Sequence, residues 1–288
     1  MTERKRLIIQ GQVQGVGFRP AVYNLAGALE LSGFVYNDTV GVVIEIQGDG
    51  DRIVEFVERL QGSDKPAAAR ISCCQVSSVD VVEGESKFGI IQSDAAGDII
   101  SQVTSDIATC DKCICELFDK KDFRYDYPFI NCTNCGPRYS IIKKIPYDRP
   151  NTTMGVFEMC AKCYQQYIDP CDRRFHAQPV ACAGCGPSIW LADGRGEAIC
   201  RDNRDVITSA AKLLKEGRIL AVKDVGGFHL AVDALNNGAV ERLRERKKRD
   251  AKPFAMMAAT LETIEKYGVV DESAARLLKS PEAPIVIL

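Results

Sequence analysis

The sequence predicts an α+β protein of several domains, and three observations lead to that prediction. Residues 1–92 carry strand and helix patterns in the order βαββαβ, which is typical of the ferredoxin-like fold. Four Cys-x-x-Cys pairs between positions 110 and 185 predict a module that folds around bound metal. Beyond residue 200, helix and strand patterns alternate again and predict an α/β domain. We expect domains at 1–92, 105–190 and 200–288, with a polar linker at 93–98.

The composition excludes several classes of protein. A net charge of −2 over 288 residues gives the whole chain no electrostatic signature of nucleic-acid binding. No apolar run approaches the length of about 18 residues that a membrane span needs. The N-terminus lacks the apolar segment of a signal peptide, so we expect a cytoplasmic protein. In that reducing compartment, thirteen cysteines indicate metal binding and not disulfides.

Hydrophobic periodicity predicts the elements of the first domain. Pro20 suits the first turn of a helix, and Gly11 is expected to interrupt the first strand. The predicted strands are 6–10, 32–36, 42–47, 76–82 and 88–91, and the predicted helices are 20–31 and 51–61. A turn at 37–41 joins the second and third strands.

A glycine-bearing loop leads into the first helix and is the candidate phosphate site. Its residues are Gln14, Gly15, Val16, Gly17, Phe18 and Arg19. Such a loop exposes backbone N–H groups to an anion at a helix N-terminus. Arg19 adds a planar guanidinium that suits a phosphate. Two glycines alone would predict no more than a tight turn.

The longer string VQGVGFRP, at residues 13–20, resembles the acylphosphatase family, and the resemblance covers most of residues 1–92. In that family the loop and its arginine hold the phosphate, and an asparagine orients the attacking water. The resemblance implies these roles for Arg19 and Asn37, with no covalent enzyme intermediate. Without it, Asn37 would be read as a turn residue.

The four cysteine pairs supply the ligands of two tetrahedral Zn²⁺ sites. They are Cys110 and Cys113, Cys132 and Cys135, Cys160 and Cys163, and Cys182 and Cys185, separated by 18, 24 and 18 residues. A lone pair could be a redox motif, but four pairs at mirrored spacing favour zinc. Cysteine at all eight positions leaves no open coordination, so the zinc is expected to be structural.

The metal module is an internal repeat with a period of 50 residues, from Cys110 to Pro137 and again from Cys160 to Pro187. Each repeat can close its own site, or the pairs can interleave; we favour closure within each repeat. Arg124 and Arg174 recur at the same place, which favours a structural role. Zinc does not need His176, and we expect it to pack at the surface; the alternative is a role in supporting a zinc ligand or in facing a substrate. A nucleic-acid-binding finger is the competing interpretation, with Lys143, Lys144, Arg173 and Arg174 as basic spots and Tyr125, Tyr127 and Phe129 as stacking candidates.

The region after residue 200 predicts a helix at 205–216 that Gly217 ends, then a strand at 219–222. A second helix from about 238 runs into the basic stretch 242–252, followed by an apolar strand at 254–258 and a helix at 261–267. A last strand is predicted at 284–288. We expect residues 200–288 to expose an unpaired sheet edge and apolar surface.

The strings KDVGGFHLAVDA and RKKRDAKPFAMM resemble the opening of a YrdC-type domain. That resemblance implies a nucleotide pocket with Lys223, Lys247, Arg249 and Lys252, and ATP as co-substrate with Mg²⁺. The order acylphosphatase, double zinc module and YrdC-type domain resembles the HypF family of hydrogenase maturation carbamoyltransferases, over essentially all 288 residues.

The HypF resemblance implies three steps in a longer protein. Carbamoyl phosphate is hydrolysed to carbamate, and carbamate is joined to ATP as carbamoyl adenylate. A further domain, which we expect to be missing here, passes the carbamoyl group to the C-terminal cysteine of HypE for cyanide synthesis. No membrane or nucleic-acid partner is expected. The alternatives are a zinc-stabilised module that binds nucleic acid or protein, and a tRNA-modifying YrdC-type enzyme.

Overall fold

A computed structural model of the chain describes residues 2–94 and 103–288. These residues form two compact units, one built from 1–116 and 129–186 and the other from 117–128 and 187–288. The predicted linker at 93–98 lies mostly outside the described residues, which include only Ser93 and Asp94 of it.

The first unit contains the predicted ferredoxin-like sheet. Its strands are β1 (Thr2–Gln12), β2 (Ser32–Asn37), β3 (Val42–Asp49), β4 (Arg70–Ser78) and β5 (Phe88–Ile90), and its first helices are α1 (Phe18–Ala28) and α2 (Gly50–Gln61). The strand order is β4-β1-β3-β2-β5, and β5 runs parallel to β2 while the other pairs are antiparallel. The expected βαββαβ plan is therefore confirmed, with β5 added at one edge.

Both helices bury one face against the sheet because their apolar residues recur every three or four positions. On α2 the buried side chains are Ile53, Phe56 and Leu60. In β1, Leu7 and Ile9 alternate with outward-facing neighbours and are fully buried. Each such side chain contributes about 1.5–3 kcal/mol through its removal from water. This core fixes the position of the loop that joins β1 to α1.

The bounds of one predicted strand were wrong. The strand expected at 76–82 is β4, which spans Arg70–Ser78 and follows the register of β1. Val82 lies beyond it and donates its N–H to the side chain of Gln47 at 2.7 Å. Gly11 interrupts the regular ladder as predicted, although β1 continues to Gln12. It forms a bulge with φ +118°, where a β-carbon would lie 2.2 Å from the carbonyl oxygen of Arg70.

The cysteine repeat places two short helices at equivalent positions, α3 (Asp111–Phe118) and α4 (Ala161–Ile168). Each begins directly after the first cysteine of a pair, so the second cysteine lies in the first helical turn. Between the repeats are three 3₁₀ turns, Tyr139–Ile141, Arg149–Asn151 and Thr153–Val156. This irregular connection carries residues that reach the phosphate loop.

The second unit has two small hairpins, β6 (Leu191–Ala192) with β7 (Ala198–Cys200) and β8 (Leu220–Lys223) with β9 (Phe228–Ala231). Its helices are α5 (Asn203–Lys215), α6 (Asn237–Lys247), α7 (Leu261–Ile264) and α8 (Glu272–Leu278). Gly217 follows α5 with φ +77°, as predicted.

The sequence failed to predict β9 and α8, and the strands expected at 254–258 and 284–288 are wrong. A strand needs a partner for its backbone groups, and neither segment pairs with another strand in residues 103–288. The expected exposure of apolar residues is confirmed: Met257 is 100% exposed and Ile287 97% exposed. Across 2–94 and 103–288, no helix combines the length and apolar character needed to cross a bilayer.

Candidate functional site

The loop at 14–19 has a backbone that only its glycines adopt easily. Gly15 and Gly17 have φ values of +75° and +77°, in the left-handed region, and Gly17 is the N-cap of α1. The first N–H groups of α1 have no acceptor within the helix. They are therefore available to an anion at this helix end.

Gln14 holds the loop in place from one side. Its Nε2 donates to the carbonyl oxygens of Asp38 and Gly41 at 2.7 and 2.8 Å. Its Oε1 accepts the N–H of Tyr147 at 2.9 Å. The side chain is 2% exposed. Gln14 therefore ties the loop both to the turn after β2 and to the segment between the two cysteine repeats.

The two predicted catalytic residues face one cavity. Arg19 is 8% exposed and Asn37 is 2% exposed, and both line it. Arg19 forms an ion pair with Asp148 at 2.7 Å. The backbone oxygen of Tyr147 accepts from Arg19 Nη2 at 3.4 Å and from Asn37 Nδ2 at 3.5 Å. The Oδ1 atom of Asn37 is buried without a hydrogen-bond partner in the described residues, so it can accept from a water molecule.

The cavity has a volume of about 30 Å³, which is room for roughly two water molecules. Its walls come from the first domain and from the cysteine repeats: Val13, Gly15, Gly17, Phe18, Arg19, Pro20 and Asn37, then Thr133, Arg138, Tyr147, His176, Ala177 and Gln178. Four residues near the loop were not predicted from the sequence as site residues: Arg138, Tyr147, Asp148 and Gln178. One indication for Arg138 was present in the sequence, because the two repeats differ at this position: the second has Ser188 where the first has Arg138.

His176 is half-buried, and its position in the cavity wall agrees with the substrate-facing alternative and not with the surface packing that was expected. It lines the cavity and packs against Phe175 and Tyr167, with ring centroids 4.7 and 4.9 Å away. Burial, reinforced by the charge of Arg19, lowers the pKa of His176 to about 4. The imidazole is therefore neutral at pH 7.

The eight paired cysteines form two groups, each within one repeat, as favoured from the sequence. The groups are Cys110, Cys113, Cys132 and Cys135, and Cys160, Cys163, Cys182 and Cys185, with all Sγ atoms of a group within 4.8 Å of one another. Neighbouring Sγ atoms are 3.6–3.8 Å apart in the first group and 3.7–3.8 Å in the second. A tetrahedron with Zn–S bonds of about 2.3 Å has edges of about 3.8 Å. The donor sets therefore fit two Zn²⁺ ions, which would hold the chain turns together.

Side chains of the second repeat support the first group of cysteines. Arg173 Nη2 lies 3.1 Å from the Sγ atoms of both Cys110 and Cys113, and its Nη1 donates to Glu116 at 2.6 Å. Arg174, 2% exposed, pairs with the same Glu116 and donates to the carbonyl oxygen of Asn131 at 3.0 Å. The structural role predicted for Arg174 is confirmed. Through these contacts, Arg173 and Arg174 of the second repeat hold it against the first repeat.

The predicted nucleotide residues lie in the second unit. Lys223 ends β8, its Nζ donates to the carbonyl oxygen of Asp224 at 2.7 Å, and it lies over the ring of Phe228. Lys247 ends α6. Arg249 donates to the carbonyl oxygens of Lys252 and Pro253 in the exposed segment that follows. These contacts leave the ammonium and guanidinium groups close to solvent.

Three protein-family models match the chain in the predicted order. Acylphosphatase matches residues 5–90. The HypF finger matches twice, at 109–142 and 159–192. The Sua5/YciO/YrdC family, described as telomere recombination, matches 212–288. Carbamoyltransferase HypF2 of Cupriavidus necator is 48% identical over all 288 residues. The chain belongs to the HypF family.

Other relatives agree with this assignment. Carbamoyltransferase HypF of Synechocystis is 48% identical over 97% of the chain. An acylphosphatase of Clostridium beijerinckii is 36% identical over 88 residues, which are 96% of its length. A solved structure described as full-length HypF in the phosphate- and nucleotide-bound form superposes with a TM-score of 0.91 at 48% identity, over 98% of this chain and 36% of that one. HypF of T. kodakarensis gives a TM-score of 0.86 at 41% identity. The chain spans about a third of the length of these HypF relatives: 35% of the Cupriavidus protein and 36% of the Synechocystis protein.

Proposed function

We propose that this chain hydrolyses carbamoyl phosphate at the loop formed by residues 14–19. The observation that carries the proposal is the shared cavity of Arg19 and Asn37 at the N-terminal end of α1. The loop amides and Arg19 bind the phosphoryl oxygens. The acylphosphatase match and the family membership support an acyl phosphate as the substrate.

In this mechanism water attacks the phosphorus atom. Asn37 Oδ1, which lacks a protein partner among the described residues, accepts a hydrogen bond from that water and directs its lone pair. A new P–O bond forms, the bond to the bridging oxygen breaks, and carbamate leaves with that oxygen. Both hydrogen atoms of the water stay with the new phosphate, so the products are carbamate and dihydrogen phosphate. Arg19 and the loop amides stabilise the negative charge that builds up on the phosphoryl oxygens.

We also propose the later steps for the longer protein. ATP binds with Mg²⁺ at Lys223, Lys247, Arg249 and Lys252. A carboxylate oxygen of carbamate attacks the α-phosphorus of ATP, which forms carbamoyl adenylate and releases pyrophosphate. A further domain passes the carbamoyl group to the sulfur of the C-terminal cysteine of HypE in hydrogenase maturation, and AMP leaves. The phosphate- and nucleotide-bound relative supports nucleotide binding by this family. We place the domain limits at 1–92, 105–190 and 200–288, in keeping with the three matches.

The test measures phosphate release from carbamoyl phosphate by the zinc-loaded chain. Arg19→Ala should reduce the rate about 100-fold or more, since one anion-stabilising donor contributes on that order. Arg52→Ala removes an arginine on α2 that pairs with Glu30, and should leave the rate unchanged. A wild-type rate equal to that in buffer, or an unchanged rate for Arg19→Ala, contradicts the proposal.

Several side chains that were candidates for nucleic-acid binding in the cysteine repeats are buried or already paired, which does not favour that function. Tyr127, a candidate for base stacking, is 0% exposed. Arg174 is buried against Glu116, and Arg173 is directed at the cysteine sulfurs. A gel shift with bulk tRNA is expected to show no binding, and it tests the tRNA-modifying alternative as well.

A further inference from the structure

Arg138 is buried between the first cysteine group and the phosphate loop. It is 2% exposed. Its Nη1 donates to the carbonyl oxygens of Cys135 and Pro137 at 3.1 and 2.8 Å. Its Nη2 donates to those of Cys132 and Thr133 at 3.3 and 2.9 Å. Four of its five N–H donors therefore bind the turn that carries the second cysteine pair of this group.

The fifth donor of Arg138 reaches the phosphate loop. Its Nε donates to the carbonyl oxygen of Gly15. The peptide unit between Gly15 and Val16 is planar and trans, so holding the carbonyl oxygen also holds the N–H of Val16 on its opposite side. A β-carbon at residue 15 would lie 3.1 Å from Arg138 Cδ, so glycine is the residue that lets the loop approach Arg138 this closely. Arg138 thus orients a peptide of the loop that we propose binds phosphate.

We propose that Arg138 is a positioning residue that couples zinc binding at the first cysteine group to phosphate binding at the loop. This proposal rests on the phosphate site proposed above. Zinc fixes the conformation of the turn at 132–135. The carbonyl groups of that turn fix the position of the guanidinium, and the guanidinium fixes the orientation of the peptide that follows Gly15. Coupling between two binding sites is reciprocal, so phosphate must stabilise zinc at this group by the same factor.

The second repeat provides an internal comparison. It has the same Cys-Gly-Pro sequence at 185–187, but Ser188 follows where Arg138 stands in the first repeat. Serine has one hydroxyl donor and cannot bridge a turn to a distant loop as a guanidinium does. Phosphate should therefore stabilise one of the two zinc ions and leave the other unaffected.

The experiment is a chelator titration of the zinc-loaded chain, with and without inorganic phosphate, at equal ionic strength set with chloride. Each step of the titration should release one zinc per chain. Saturating phosphate should raise the chelator concentration at the midpoint of one step by at least about fivefold, the lower end of usual coupling strengths. The other step should not move.

Arg138→Met should abolish the phosphate-dependent shift and weaken phosphate binding measured by calorimetry. Arg138→Lys keeps the charge but has three donors on one nitrogen, and should retain little of the shift. Arg4→Met is the matched control, because it removes a buried arginine from the sheet that pairs with Glu45 and Glu85. It should keep both the shift and the phosphate affinity.

The outcomes separate this proposal from the proposed function. If calorimetry shows no phosphate binding to the wild-type chain, both fail. If phosphate binds but neither zinc step moves, or both steps move equally, the coupling through Arg138 is refuted and the phosphate site stands. A shift that persists in Arg138→Met also refutes it. The wild-type titration can refute the coupling even if a variant does not fold.

Discussion

Asp148 occupies the position of a counter-anion at the proposed phosphate site. Its Oδ1 lies 2.7 Å from Arg19 Nη2, and the two side chains are 22% and 9% exposed. A phosphoryl group that binds Arg19 must displace this carboxylate or share the guanidinium with it. We therefore predict that Asp148→Asn increases the affinity of the site for inorganic phosphate.

The magnitude follows from the contact that is lost. The asparagine oxygen can still accept from Arg19, which stays charged, but the attraction between two opposite unit charges is lost. Such charges about 4 Å apart attract by about 1 kcal/mol in bulk water and about 4 kcal/mol near a protein surface, so the loss is at least about 1 kcal/mol. Because about 1.4 kcal/mol is a factor of ten, phosphate should bind about tenfold more tightly.

The assay is carbamoyl phosphate hydrolysis with inorganic phosphate as competitive inhibitor. For Asp148→Asn, the inhibition constant of phosphate and KM should both fall about tenfold, while kcat changes little. Glu158→Gln removes an exposed negative charge from the same module. It controls for the effect of losing one negative charge on the overall electrostatic field. Weaker phosphate binding by Asp148→Asn would refute the reasoning, since it would mean that Asp148 chiefly holds Arg19 in place.

Three further predictions follow from the site. Asn37→Ala should lower kcat about 100-fold with KM nearly unchanged, because it removes water positioning and not phosphate contacts; a fall in affinity alone would contradict this role. Cys113→Ser should reduce bound zinc from two ions per chain to one, measured by metal analysis, and lower the unfolding temperature; two retained ions would contradict the grouping. The pKa of His176 is about 4 in the folded chain and 6.5, its ordinary value, in the unfolded chain. As the pH falls, the unfolded chain takes up a proton first, so acid favours unfolding. Stability should therefore fall between pH 7 and pH 5, and urea unfolding of His176→Asn should show a decrease smaller by about 2 kcal/mol than that of the wild type; equal decreases would contradict the buried neutral imidazole.

Elements with strong local patterns were predictable from the sequence. The apolar face of α2 and the glycine loop before α1 depend on neighbours within a few residues, and both are where the pattern predicts them. The strand expected at 76–82 failed because its valines favour a strand locally, whereas pairing with β1 sets the ladder at Arg70–Ser78. Local preference cannot determine which residues meet a partner strand.

The residues of the candidate site also divide into those that the sequence could indicate and those that only the folded chain brings together. Arg19 and Asn37 were found through the resemblance of a short string to a family. Tyr147 lies 128 residues from Arg19 in sequence, and its backbone oxygen nevertheless contacts that side chain. No residue-type pattern marks such a contact. For His176, surface packing was favoured over a substrate-facing role, because one histidine carries no information on the packing of distant segments around it.

The sequence by itself determined the eight cysteine ligands and the phosphate loop, because metal ligands and glycine turns are encoded by residue types at short, fixed spacings. It favoured closure within each repeat but left interleaved pairs open, and the structure decided the grouping. The tertiary structure alone decided that the cysteine repeats close the phosphate cavity. That arrangement depends on Arg138 and Tyr147, whose buried polar groups must find partners far away in the chain. The packing of the whole unit selects such partners, and no local sequence pattern indicates them.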